Sequence, residues 1–173
     1  MRLSLIGMPG AGKTSLGRAL AAAYEVPFLD LDEEIVRRQG RSIPDIFAND
    51  GEAYFREQEA AVLRAVLAQE PRLVLATGGG APCFHHNLEV LLAAGPVLYL
   101  EVSVPELVRR LRAAKVARPL LAAAPDAATL EARLRETLHA RSQFYDRAPL
   151  RCTGPACTVA AVQRLLAQYH HTA

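Results

Sequence analysis

The segment Gly7-Met8-Pro9-Gly10-Ala11-Gly12-Lys13-Thr14 constrains the fold more than any other part of the chain. It matches G-x-x-x-x-G-K-[ST], the pattern of a phosphate-binding loop. That loop needs a strand before it and a helix after it, and the flanking sequence supplies both. Arg2-Leu3-Ser4-Leu5-Ile6 is short and apolar, as a buried parallel strand should be. Ser15 to Tyr24 is rich in Ala and Leu, which favour helix. A strand, a glycine-rich turn and a helix start gather backbone N–H groups around one point, where the helix dipole adds partial positive charge. Gly7, Gly10 and Gly12 permit positive φ and let the main chain approach a phosphate without a Cβ in the way. Lys13 brings a point charge to the β- and γ-phosphates, and the Thr14 hydroxyl suits Mg²⁺. An ordinary strand–helix turn would not require the whole pattern.

A chain of 173 residues is long enough for one domain with its own core. Apolar residues at 51% and charged residues at 22% suit a globular enzyme, and a net charge of +2 is too small to mark a nucleic-acid surface. No apolar run approaches the roughly 20 residues that span a bilayer. A first strand beginning beside Met1 leaves no room for a signal peptide, so a cytoplasmic location is expected. Cys83, Cys152 and Cys157 include no C-x-x-C pair. That spacing points to reduced thiols rather than a disulfide framework or a zinc site.

Strand and helix signals alternate along the chain, which predicts an α/β fold with a mainly parallel sheet. Strands are expected at Val26–Leu29, Leu73–Ala76, Val97–Leu100 and Leu150–Cys152. Helices are expected over Glu33–Gln39, closed by Gly40, from an N-cap at Ser42 through Phe47, and over Glu52–Gln69 beyond a break at Gly51. Others follow at Asn87–Ala94, Val104–Ala113, Ala127–Tyr145 and Val159–Tyr169. The Pro- and Ala-rich stretch from Lys115 to Asp126 breaks this rhythm and reads as a mobile lid that keeps water from the phosphates. No repeat or linker divides the chain.

Four further places carry chemistry. Asp30 and Asp32 fall at the carboxyl end of a strand, where open α/β sheets bind ligands. One carboxylate can hold a water on Mg²⁺ while the other orients an acceptor hydroxyl; the plainer alternative is a pair of helix N-caps. Thr77-Gly78-Gly79-Gly80 is more glycine than a turn needs and would let a ligand lie against main-chain N–H groups. Arg56 and Glu59, three apart on one helix face, make a preorganised fork for a carboxylate, or else a surface ion pair. Arg109, Arg110, Arg112, Lys115 and Arg118 surround the lid, with Arg118 fixed beside Pro119. Arg109 and Arg112 read as solvated basic residues. His85-His86 and His170-His171 lack metal-ligand spacing and read as surface residues.

Together these segments resemble shikimate kinase over nearly the whole chain, from Leu3 to about Gly154. Gly7–Thr14, Asp30-Leu31-Asp32, Phe55-Arg56 with Glu59, and Thr77–Gly80 carry the resemblance, with Arg118-Pro119-Leu120-Leu121 and Arg141…Tyr145 following in order. It implies a three-layer α/β/α P-loop kinase fold, related to nucleoside monophosphate kinases, with a five-stranded parallel sheet in the order 2-3-1-4-5. One domain spans 1–173, with acceptor-binding helices at about 31–62 and a lid at about 113–126. The implied activity moves the ATP γ-phosphate to the 3-hydroxyl of shikimate, with Mg²⁺ as cofactor and a monomer as the working unit.

By the same carry-over, Lys13, Asp32 and Arg118 are catalytic. Gly7, Gly10, Ala11, Gly12, Lys13, Thr14 and Ser15 hold the nucleotide phosphates, with Arg110, Arg118 and Pro155 also on the nucleotide. Asp32, Arg56, Arg141 and Gly78–Gly80 bind shikimate between the apolar walls Phe47 and Phe55. Thr14 ligates the metal directly and Asp30 through water. The segment Pro82-Cys83-Phe84-His85-His86 matches no motif and receives no role. The alternatives are another small-molecule P-loop kinase, such as a gluconate kinase, and a non-catalytic shikimate sensor; intact Lys13, Thr14 and Asp32 weigh against the sensor.

Overall fold

The structure is a computed structural model and describes residues 1–113 and 126–172. A five-stranded sheet forms its centre: β1 (Arg2–Ile6), β2 (Phe28–Asp30), β3 (Leu73–Ala76), β4 (Val97–Glu101) and β5 (Leu150–Thr153). The spatial order is β2-β3-β1-β4-β5 and every pairing is parallel. The register sets Leu3 beside Val74 and Leu5 beside both Ala76 and Leu98. Residues Leu3, Ser4, Leu5 and Ile6, and all of β3, are buried. Burial of successive residues, which point to opposite faces, means that helices cover both sides of the sheet.

The helices are α1 (Lys13–Tyr24), α2 (Leu31–Gln39), α3 (Ile43–Gln69), α4 (Asn87–Ala94), α5 (Val104–Ala113), α6 (Ala127–Tyr145) and α7 (Val159–Thr172). Local chemistry explains their ends. The α2 helix starts at the Asp30 cap, carries Asp32, Glu33 and Glu34 in its first turn and Arg37 and Arg38 in its last, and stops at Gly40 with φ 66°. That charge order complements the helix dipole. Ser42 caps α3 by accepting from the Asp45 N–H. Gly51, at φ 80° and ψ 175°, breaks α3 where the sequence placed a separator. Asp126 caps α6 through the Thr129 N–H.

Differences from the sequence reading are small. Helix α1 begins at Lys13 rather than Ser15, because the phosphate loop feeds directly into it. Strand β2 starts two residues later than expected, since the Val26 N–H is taken by the Ala21 carbonyl at the end of α1. Helix α7 runs to Thr172. One expectation fails outright: Cys152 and Cys157 form a disulfide, leaving Cys83 as the free thiol. The 3-10 turn Gly154–Ala156 folds the chain back and sets their Cα atoms 5.4 Å apart, within the span a disulfide bridges. The expected lid, with Lys115, Arg118 and Pro119, lies outside the described residues, as do the side chains of His170 and His171. No described helix is long and apolar enough to cross a membrane.

Candidate active site

All five strands point the same way, so the segments that follow them share one edge of the sheet. The loop after β1 has Gly7, Gly10 and Gly12 at φ 141°, 84° and 98°. Only glycine takes such values readily, and at Gly7 an added Cβ would lie 2.6 Å from the Leu100 carbonyl oxygen. Gly12 is the N-cap of α1 and brings no side chain to the first N–H groups of the helix. Lys13 lies back over the loop, its Nζ donating to the carbonyls of Gly7 at 2.7 Å and Met8 at 3.0 Å. Ser15 is exposed on the first turn, and Ala11 is buried. Arg110, on α5, donates Nη1 to the Ala11 carbonyl at 3.1 Å and Nε to Glu106 at 2.6 Å. Arg110, expected on the nucleotide, thus lies against the phosphate loop. Arg109 is an exposed partner of Glu106, as expected of a solvated residue.

Asp30 ends β2 and caps α2, the plainer of the two readings offered for it, with its second oxygen turned to Thr14. Oδ1 accepts the Asp32 N–H at 3.1 Å, an N-cap bond, while Oδ2 accepts the Thr14 hydroxyl at 2.9 Å. Asp32, one residue into α2, is turned toward the glycine loop. Burial first, and then the charge of Asp30, push its carboxyl above the ordinary aspartate value; Lys13 and Arg56 oppose that shift. A hydroxyl and a carboxylate side by side at a phosphate loop suit Mg²⁺, which takes few protein oxygens and completes its shell with phosphate and water.

Across from Asp32, α3 presents Arg56 and Glu59. They are not a surface pair. Glu59 is 1% exposed and the Arg56 side chain 11%. Arg56 Nη1 donates to Glu59 at 2.9 Å, while Nε and Nη2 donate to Glu52 at 3.2 and 3.1 Å. Burial raises the Glu59 carboxyl from its ordinary value, against the attraction of Arg56. Phe55 is buried and packs against Phe47 with the rings tilted and centroids 4.7 Å apart, Phe47 lying at the surface.

The three glycines after β3 need no positive φ. Gly80 has φ −86°, and Gly78 and Gly79 are not among the positive-φ glycines. What matters is the missing Cβ, because each occupies space a side chain needs. A Cβ on Gly78 would stand 2.8 Å from Asp32 Oδ1, one on Gly79 2.9 Å from Arg141 Nη1, and one on Gly80 2.7 Å from Arg56 Nη2. The glycine run thus brings one carboxylate and two guanidinium groups against the same main chain. Arg141 Nη1 is buried without a hydrogen-bond partner among the described residues. A buried cationic donor left open calls for an anion.

A family model described as shikimate kinase matches residues 9–169. The chain belongs to the shikimate kinase family. It is 42% identical to the shikimate kinase of Parabacteroides distasonis over 149 residues, covering 86% of this chain and 85% of that one. With the Bordetella pertussis shikimate kinase the figure is 46% over 142 residues, 82% and 64% of the two chains. The crystal structure of shikimate kinase from Bacteroides thetaiotaomicron superposes with a TM-score of 0.90 at 37% identity, over 98% of both chains. The Acinetobacter baumannii shikimate kinase, solved in complex with shikimate, gives 0.84 at 36% identity over 98% and 93%. A gluconokinase from Sinorhizobium meliloti, at 16% identity and TM-score 0.56, shares the fold alone.

For a shikimate kinase family member, the sequence reading missed three parts of this site. Tyr145, one helical turn beyond Arg141, is fully buried and donates its hydroxyl to the Gly79 carbonyl at 2.6 Å. It also reaches Met8 of the phosphate loop at 3.9 Å and stacks on Tyr99, so it ties the two halves of the site together. The i,i+4 spacing from Arg141 was the available signal. Glu52 is a second partner of Arg56, also at i,i+4. Phe84, over the Arg56 guanidinium, had no local signal at all. Pro155 sits exposed in the turn after β5, at the sheet edge that bears the phosphate loop. A surface pocket of about 210 Å³ lined by Glu25, Pro27 and Arg72 lies at the opposite edge, where strands begin, and takes no part in the site.

Proposed function

We propose that this shikimate kinase family member transfers the γ-phosphate of ATP to the 3-hydroxyl of shikimate, giving shikimate 3-phosphate and ADP. The convergence of Asp32, Arg56 and Arg141 on Gly78–Gly80 beside the phosphate loop carries the reading. Shikimate is a small anionic polyol. Two guanidinium groups match its carboxylate and one carboxylate matches its hydroxyls, group for group. The orphaned Arg141 Nη1 supports this, because a substrate carboxylate is the acceptor it lacks.

Phosphoryl transfer passes through a loose transition state, so positioning and charge neutralisation supply most of the rate. Lys13, already held over the loop, covers the β/γ-phosphate region while Gly7, Gly10, Ala11, Gly12, Thr14 and Ser15 line the polyphosphate path. Arg110 and Pro155 flank the nucleotide. The resemblance assigns Arg118 the neutralising contact with the transferring phosphate. Asp32 accepts a hydrogen bond from the reacting hydroxyl and points its oxygen in line; its raised pKa also suits it to receive the proton as the P–O bond forms. Phe47 and Phe55 wall the ring. Thr14 would hold Mg²⁺ directly and Asp30 through a water. When bound, the metal neutralises phosphate charge. The same reading has the protein act as a cytoplasmic monomer in the pathway to chorismate and the aromatic amino acids.

The test is ADP release with Mg²⁺ and ATP against a panel of shikimate, gluconate and nucleoside monophosphates. Shikimate-dependent release well above the others is expected. Release that follows gluconate or a nucleotide instead, or none with any acceptor, overturns the reading.

A further inference from the structure

Phe84 is one of three large apolar side chains exposed among the described residues, at 36%. It stands on the segment Pro82–His86, to which no motif gave a role, yet that segment is firmly built. The Cys83 N–H donates to the Gly80 carbonyl at 2.9 Å and the Asn87 N–H to that of Phe84 at 2.9 Å. Asn87 is buried, and its Nδ2 donates to the Ala81 carbonyl at 3.0 Å. Arg64, about two turns beyond Arg56 on α3, donates to the His85 carbonyl at 2.7 Å and to Asn87 Oδ1 at 3.0 Å. Helix α3 therefore grips the segment through Arg64, and the segment returns Phe84 to Arg56. The Phe84 ring centroid lies 4.3 Å from Arg56 Cζ, nearer than the 5.1 Å of Phe55.

We propose that Phe84 is a positioning residue, the plate that sets the plane of the Arg56 guanidinium for the substrate carboxylate. The inference rests on the reading of Arg56 as a carboxylate clamp. Glu52 and Glu59 both belong to the helix that carries Arg56, so they restrain the group from its own side. A guanidinium has five N–H donors. Glu52 takes two of them and Glu59 one. An aromatic face attracts the cation without occupying the remaining pair. The two donors left, one on Nη1 and one on Nη2, are what a bidentate carboxylate contact needs. Another carboxylate in place of Phe84 would compete for them, and an aliphatic side chain would supply no attraction.

The experiment compares Phe84→Leu, Phe84→Tyr, Arg56→Ala and the double variant Phe84→Leu/Arg56→Ala, with shikimate and its methyl ester as acceptors at saturating ATP. Phe84→Leu should raise the shikimate KM by about threefold to thirtyfold, the span of cation–π strengths, with kcat and the ATP KM unchanged. Phe84→Tyr keeps the face and should stay near wild type. Because the ester presents no charge, Phe84→Leu should leave its kcat/KM unaltered, and adding Phe84→Leu to Arg56→Ala should cost nothing further. If Arg56→Ala raises the shikimate KM and Phe84→Leu does not, the proposal fails while the clamp stands. If acid and ester suffer equally from Phe84→Leu, the ring is merely structural and the proposal fails. An unchanged shikimate KM in Arg56→Ala overturns the clamp and, with it, the plate.

Discussion

Replacing Gly80 by Ala should perturb shikimate recognition, as proposed for Arg56, while sparing the fold. Gly80 has φ −86° and ψ −18°, a conformation alanine adopts readily. The new methyl carbon would lie 2.7 Å from Arg56 Nη2, 2.9 Å from Nη1 and 3.0 Å from Cζ. Ordinary contact begins at 3.4 Å, so the guanidinium must retreat by about 0.7 Å. That retreat works against the 2.9 Å bond to Glu59 and the Phe84 ring. A misplacement of about 1 Å costs on the order of a hundredfold in a positioned site, so the shikimate KM should rise between about tenfold and a hundredfold. The backbone term runs the other way, since Gly→Ala at a compatible position stabilises by about 0.4–1 kcal/mol through the unfolded chain. Thermal unfolding should therefore change little. The assay is ADP release with shikimate varied at saturating ATP, then ATP varied at saturating shikimate, alongside a melting curve. A folded variant with wild-type shikimate KM, or with both KM values raised equally, would refute the reasoning. Gly79→Ala makes a useful contrast. Its methyl would meet the Pro9 ring at 2.9 Å, which yields less than a side-chain tip, so stability should fall as well.

Two predictions address the frame of the site. Tyr145→Phe strips the hydroxyl from the Gly79 carbonyl and leaves a buried acceptor unpaired. The cost should be about 1–2 kcal/mol, a Tm lower by about 2–8 °C in a domain of this size; a melting curve that overlies wild type would remove Tyr145 from the role of strut. Glu34 is held at about 2, against an ordinary 4.5, by its hydrogen bonds to Arg37 and Arg38. A depressed carboxylate stabilises the fold above its unfolded value and loses that contribution as pH falls through the folded one. Glu34→Gln should therefore lower stability by about 1 kcal/mol after solvent screening at neutral pH. The Tm gap to wild type should narrow from pH 4.5 toward about 2, and a gap that widens on acidification would contradict the assignment.

Legibility followed the range of the interactions. The phosphate loop was readable because its work is done by main chain within eight residues flanked by a strand and a helix. Helix ends were readable for the same reason, as at Asp126, Ser42 and Gly40. Arg56 and Glu59 were placed correctly on one face by their spacing, but spacing does not give burial. Spacing alone favoured a solvated surface pair, and only the packing of α3 against the glycine segment buries it. Asp30 was posed as cap or metal support, and the fold lets separate oxygens of one carboxylate do a cap's work and bind Thr14.

By itself, the sequence determined the donor half of this protein: a strand, a phosphate loop and a helix whose geometry is local. Its motif order also identified the family. Tertiary structure decided which side chains gather beside that loop. Asp32, Arg56 and Arg141 come from three helices and meet against the segment that follows β3 in a parallel sheet. There the chain has no Cβ at Gly78, Gly79 and Gly80, and those side chains fill the space. Phe84 over Arg56, Tyr145 on Gly79 and the pairing of Cys152 with Cys157 also emerged only from the folded chain. Each depends on how far two segments approach, which sheet order and turn geometry set and residue spacing alone does not.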